Sequence, residues 1–286
     1  MTKSILKMFN LDKALYRFML GGMTALLLLT AMPAAAQKDN THPWKGRRVA
    51  YFGDSITDPK NNGSKKKYWN FLEEMLGITP YVYGVSGRQW DDIPRQADKL
   101  QKEHGDDFDA IMIFMGTNDF NSGVPIGQWY CESEDSVYAA HKKQLPAGTY
   151  LRRRRTLSMD NTFRGRINRA MALLKHRWPK KQIVVLTPIH RAYFEGGADN
   201  IQPDESWTNS IGVFFDEYVN SVKEAGNIWA VPVIDVNALS GLYPVDDNGA
   251  AYYHDSSKDR LHPNDEGHRR LAATLYWQLA ALPCVF

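Results

Sequence analysis

Ser55 directly follows a short apolar run and opens a polar loop, in the order Tyr51-Phe52-Gly53-Asp54-Ser55-Ile56-Thr57-Asp58. A serine at the carboxyl end of a buried strand faces the crevice where an α/β protein places its chemistry. Acyl transfer by such a serine needs a neutral imidazole to take its proton and a carboxylate to orient that imidazole. It also needs N–H donors for the oxyanion that develops. Asp259 and His262 stand three apart in Asp259-Arg260-Leu261-His262-Pro263, near the chain's end. Pro263 disfavours helix at His262, which keeps the pair in a loop able to reach a cleft. Gly87, in Gly84-Val85-Ser86-Gly87, lacks a side chain and lets an oxyanion approach its N–H. Asn118, in Gly116-Thr117-Asn118-Asp119, offers a side-chain amide. Taken singly, each has an ordinary reading: a cap or turn serine, a surface capping loop, a turn glycine, an Asx-turn.

The elements around these blocks alternate. Apolar runs at 48–52, 81–85, 110–115, 183–186 and 229–234 read as strands. Helical patterns at 68–76, 91–104, 162–178, 211–225 and 265–282 separate and follow them. That order predicts an α/β fold, a parallel sheet between two helix layers. Segments 120–158 and 190–208 fit it poorly. Each follows a strand's carboxyl end, so both are expected as insertions over the crevice that shape substrate access.

The four blocks in this order resemble the SGNH hydrolases, the GDSL-type esterases and lipases, over about residues 46–282. Ile56 stands where the family usually has leucine, and Tyr83 where it often has asparagine. The resemblance implies a flavodoxin-like, three-layer α/β/α fold with a central five-stranded parallel sheet. It implies Ser55 as nucleophile, His262 as base and then acid, and Asp259 as its partner. The N–H groups of Ser55 and Gly87 and the side chain of Asn118 would form the oxyanion hole. Asp54 and Asp119 read as loop braces. No Gly-x-Ser-x-Gly elbow occurs, so Ser86 is a poor rival nucleophile.

Residues 1–36 read as a secretory signal peptide: a basic start, a leucine-rich run at 18–31, and Ala34-Ala35-Ala36. The run is short for a membrane span, which needs about 20 residues. Cleavage would leave 37–286 as a single exported domain, periplasmic or extracellular, without stable membrane insertion. The leader accounts for the chain's net charge of +3, so nothing points to nucleic acid. Cys131 and Cys284 either pair or remain as buried thiols. No cofactor motif appears, and His190, His254 and Asp255 match no zinc spacing, so neither metal nor cofactor is expected. Arg152 to Arg155 reads first as a solvated face.

Trp90, Trp129, Tyr130, His190 and Trp207 fall near strand-end loops and are expected to line the substrate crevice. With the export signal, they suggest an esterase removing small acyl groups, acetyl above all, from carbohydrate. A glycan acyltransferase, a lipase or lysophospholipase, and an inactive glycan-binding protein are the alternatives. Partners are therefore small-molecule or glycan esters, with oligomeric state open.

Overall fold

The structure, a computed structural model, describes residues 42–286; the expected signal peptide lies outside the described residues. Five strands form one parallel sheet: β1 (Arg48–Gly53), β2 (Thr79–Val82), β3 (Ala110–Phe114), β6 (Gln182–Leu186) and β9 (Val233–Ile234). Their order is β2-β1-β3-β6-β9 and every pair is parallel. This is the flavodoxin-like doubly wound order, whose crevice opens where the chain reverses direction beside β1 and β3. The registers Phe52↔Ile113 and Gly53↔Phe114 bring β1 and β3 out level at the same edge.

Alternate side chains of each central strand enter different cores, which is why the runs are apolar throughout. Ala50, Phe52, Ile111, Ile113, Ile183 and Val185 face one core. There they meet α2 (Ile93–His104), α4 (Phe163–Arg177) and α5 (Phe215–Trp229). Val49, Tyr51, Met112, Val184 and Leu186 face the other, against α1 (Tyr68–Leu76) and α7 (Asp265–Ala281). Short helices α3 (Thr117–Asn121) and α6 (Val236–Leu239) leave the carboxyl ends of β3 and β9.

Two elements differ from the sequence expectation. Helix α5 begins at Phe215, not near 211, because Asn209 folds the preceding segment into a turn. Its Oδ1 accepts the N–H groups of Ile211 and Val213 at 3.2 and 3.0 Å. The helix then runs on to Trp229, which leaves only Val233–Ile234 for the last strand.

The 120–158 insertion is largely a hairpin of β4 (Tyr130–His141) and β5 (Leu145–Leu157). Its base is tied to the α4–α5 pair, away from the crevice. Asn168 Nδ2 donates to the carbonyls of Trp129 and Ser158, and the Trp129 indole donates to Glu224. The four arginines alternate between the hairpin's two faces. Arg153 and Arg155 pair with Glu132, and Arg154 pairs with Asp135. They do not make one basic patch. Both cysteines are free; Cys131 is exposed on this hairpin and Cys284 half-buried.

The 190–208 insertion contributes β7 (Phe194–Glu195) and β8 (Ile201–Gln202). They join β10 (Tyr253–Asp255) and β11 (Asp259–Pro263) in a small antiparallel sheet of order β10-β11-β7-β8. Replacing residues 132–155 with an Asn-Gly turn should leave the domain folded. Its unfolding midpoint should move by no more than about 3 °C. A larger fall in thermal denaturation would show that the hairpin holds the body together.

Candidate active site

Ser55 leaves β1 in a tight turn closed by the N–H groups of Thr57 and Asp58, which donate to the Asp54 carbonyl at 3.1 and 2.9 Å. Thr57 fills the space under that turn, between Gly53 and Gly84. A Cβ on either glycine would lie 2.7 Å from the Thr57 Cβ. Two glycines of different sequence blocks are thus required by one threonine side chain, and the packing locks the Ser55 turn to the Gly84–Gly87 loop.

His262 and Asp259 lie on β11, a strand where a loop was expected. The β7 segment holds it: Ala192 N–H donates to the Arg260 carbonyl at 3.0 Å, Arg260 N–H to Tyr193 at 2.9 Å, and Glu195 N–H to Lys258 at 2.7 Å. So the 190–208 insertion does more than rim the crevice; it carries the imidazole into place. Pro263 ends the strand and Asn264 caps α7, its Oδ1 accepting the N–H groups of Glu266 and Gly267.

The structure brings the three expected groups into one hydrogen-bonded chain. His262 Nε2 lies 2.9 Å from Ser55 Oγ. His262 Nδ1 lies 2.9 Å from Asp259 Oδ2. Asp259 Oδ1 also accepts the backbone N–H groups of Leu261 and His262 at 3.1 and 3.0 Å. Phe194 meets the imidazole edge-on, with ring centroids 5.2 Å apart. Burial works to raise the Asp259 pKa, but the hydrogen bonds and charge of His262 overcome it and hold the carboxyl below its ordinary value. An ionised carboxylate fixes the imidazole with a proton on Nδ1, which leaves Nε2 free to accept one from Ser55.

Donors surround the serine. Among the described residues, the N–H groups of Ser55 and Gly87 make no hydrogen bond. Gly87 has a φ of +79°, a backbone conformation that favours glycine. Asn118 Nδ2 donates to the Arg88 carbonyl at 3.1 Å, so one of its two N–H bonds ties the Gly87–Arg88 turn to α3. The second remains for an oxyanion.

Several braces were missed from sequence. Asp58 accepts both the backbone N–H and the hydroxyl of Ser86 at 2.8 Å and so fixes the loop that presents Gly87. Gln89 donates to the Asn118 carbonyl at 3.2 Å and accepts from Arg166. Arg166 also pairs with Asp119 at 3.1 Å. Asp58 was visible as a second aspartate in the serine block; Gln89 and Arg166 carried no pattern. Asp54 and Asp119, expected as loop braces, accept the Ile56 and Trp90 N–H groups, each at 3.1 Å.

The aromatic residues divide. Trp90 is fully buried and Trp129 nearly so; both belong to the α2–α4–α5 core and cannot meet a substrate. Tyr130 packs against the same core at the hairpin base, beneath Arg155. These three expectations are corrected. Trp129 and Tyr130 turn inward at the base of the hairpin, and Trp90 does so from the turn that leads into α2, each to bury apolar area. Trp207 is 65% exposed. His190, its Nδ1 bonded to Glu205, lines a separate pocket of about 320 Å³ with Phe214 and Lys223. A second pocket of about 320 Å³ adjoins His262 and is lined by Asn61, Asn62, Phe194, Glu195 and Lys258. His190, His254 and Asp255 form no metal-holding group among the described residues.

A flavodoxin-like sheet with a hydroxyl–imidazole–carboxylate chain at its switch point defines an α/β protein built for acyl chemistry. The chain belongs to the GDSL-like lipase/acylhydrolase family, whose model matches residues 51–270, and this makes it a GDSL-type ester hydrolase. No curated protein matches the sequence. Among solved structures, it is similar to a Lactobacillus plantarum protein at 23% identity, covering 82% of this chain and 97% of that one, with a TM-score of 0.61. It is also similar to a possible lipase from Chitinophaga pinensis at 21% identity, covering 81% and 97%, with a TM-score of 0.58. An acetyl xylan esterase from Geobacillus stearothermophilus matches at 17% identity, covering 82% and 95%, with a TM-score of 0.50. At these identities the likeness establishes the fold.

Burial raises the Asp54 pKa to about 6, against the Ile56 N–H and the charge of His262. A carboxyl whose folded pKa is raised adds stability at low pH and loses it as pH climbs to the folded value. Between pH 4 and 6, wild type should therefore lose on the order of 2–3 kcal/mol relative to Asp54→Asn. Urea unfolding across that range checks this; parallel stability curves would contradict it.

Proposed function

We propose that this protein is an exported serine esterase that hydrolyses small acyl esters, chiefly O-acetyl groups on carbohydrate. The observation that carries the reading is the 2.9 Å approach of His262 Nε2 to Ser55 Oγ, with Asp259 on the far ring nitrogen. Ser55 Oγ attacks the acyl carbon while its proton passes to Nε2. The ester carbonyl oxygen becomes an oxyanion beside the N–H groups of Ser55 and Gly87 and the amide of Asn118. Collapse breaks the bond to the leaving alcohol, whose oxygen takes the proton from Nε2. Water then attacks the acyl-serine with His262 as base. The carboxylic acid leaves and Ser55 regains its proton.

The carbohydrate part rests on different residues. The leaving alcohol must sit beside Nε2, and the pocket next to His262 is lined by amide, carboxylate and ammonium groups suited to hydroxyls. Trp207 offers an exposed ring of the kind that stacks on sugar faces. The acetyl xylan esterase with a similar fold favours the same substrate class. Export rests on residues 1–36 as a signal sequence.

Ser55→Ala should lower turnover of p-nitrophenyl acetate by on the order of 10⁴-fold or more and leave the protein folded. Retained activity would remove Ser55 as nucleophile. Acetate release from a panel of acetylated polysaccharides tests the substrate. Trp207→Ala should raise KM for the preferred acetylated glycan by roughly 2- to 10-fold, with p-nitrophenyl acetate unaffected. An equal effect on both substrates would deny Trp207 a sugar contact.

A further inference from the structure

Arg191 is 1% exposed, yet among the described residues it makes no salt bridge. The other arginine of comparable burial, Arg166, is paired with Asp119. Arg191 instead spends its donors on neutral acceptors. Nη1 donates to the Thr117 carbonyl at 3.3 Å and to Thr117 Oγ1 at 3.2 Å. Nη2 donates to the side-chain oxygen of Gln202, while Nε is buried without a partner. The guanidinium lies 5.2 Å from the centre of the Phe120 ring. Its own backbone N–H is fixed by Glu205 at 2.9 Å. Burial lowers its pKa to about 10, so it stays charged at neutral pH.

Burying a cation without a direct ion pair is costly, and apolar residues of similar volume are often more stable in such a place. The cost falls where a negative charge would be useful. Thr117 directly precedes Asn118, and both lie in α3, with Phe120 one turn further on. The guanidinium therefore grips the segment that carries the Asn118 amide, from the side of the 190–208 insertion. The carboxylates of Glu205 and Asp54 act on its charge, but neither makes an ion pair with it among the described residues.

We propose that Arg191 is a positioning residue for the oxyanion site: it sets Asn118 through Thr117 and supplies a buried positive charge that favours the tetrahedral intermediate over the bound ester. The inference rests on the esterase reading above. A role in folding alone would change stability but not the balance between ground state and transition state.

The test compares wild type, Arg191→Met, Arg191→Lys and Thr117→Val on p-nitrophenyl acetate. Thermal unfolding confirms the folded state, and a reversible boronic acid serves as the tetrahedral mimic. Arg191→Met should lower kcat about 10- to 100-fold and change KM by less than about threefold. Boronate affinity should fall in parallel with kcat/KM. Arg191→Lys, which keeps the charge and loses the fork, should fall in between. Thr117→Val, which keeps the guanidinium and removes one acceptor, should lower kcat several-fold at unchanged KM. It carries the test if Arg191→Met does not fold. A folded Arg191→Met with wild-type kcat and boronate affinity would overturn the inference while leaving the esterase reading intact. So would a Thr117→Val with unchanged kcat, should Arg191→Met not fold. A wild type without turnover would overturn both.

Discussion

The hydrogen bond from Ser55 to His262 joins residues 207 positions apart, and most of the molecule's irregular structure serves to make that contact. The parallel sheet presents Ser55 at a fixed edge. It has no strand that would deliver the C-terminal imidazole to that edge. The small antiparallel sheet does so instead: β7, at the start of the 190–208 insertion, pairs with β11 and holds Asp259 and His262 against the crevice. Without this pairing β11 would be held only by β10 and by α7 behind it.

A second constraint works from the opposite direction. The proposed oxyanion donors come from three strand ends, and each must sit within tenths of an ångström of its required place. Packing supplies this for the first two, because Thr57 fits only between Gly53 and Gly84. Hydrogen bonding supplies it for the rest. Asp58 holds Ser86, Asn118 holds Arg88, and Gln89 holds Asn118 in return. The buried carboxyls of Asp54 and Asp119 belong to this scaffold. Burial pushes their pKa values to about 6 and about 7. The site is thus held by polar groups that are costly to bury, which is how functional sites commonly spend stability.

Much of this was legible in the sequence for physical reasons. A central strand covered on both faces is apolar throughout, so 110–115 and 183–186 stood out. The helices at 68–76, 162–178 and 265–282 carried apolar faces and stop signals close to their observed ends. The α/β architecture followed from their alternation. The sequence reading failed where pairing partners are distant or elements are short. β7 and β8 have two residues each, too few to show a period, so the anchor of His262 could not be seen. Trp90 and Trp129 were placed at the crevice because they lie near strand ends, but residue type does not say which side of a loop faces inward. Arg191 carried no pattern at all; its meaning comes from being buried and unpaired.

The central proposal is that Ser55 attacks the ester carbonyl and that three donors hold the oxyanion so formed. The most direct measurement is a crystal structure of the protein inactivated with a fluorophosphonate. Phosphorus should be bonded to Ser55 Oγ. Its unsubstituted oxygen should lie within hydrogen-bonding distance of Ser55 N, Gly87 N and Asn118 Nδ2, with His262 still on Asp259. Phosphorus on another residue, or an oxygen directed away from Gly87 and Asn118, would contradict it.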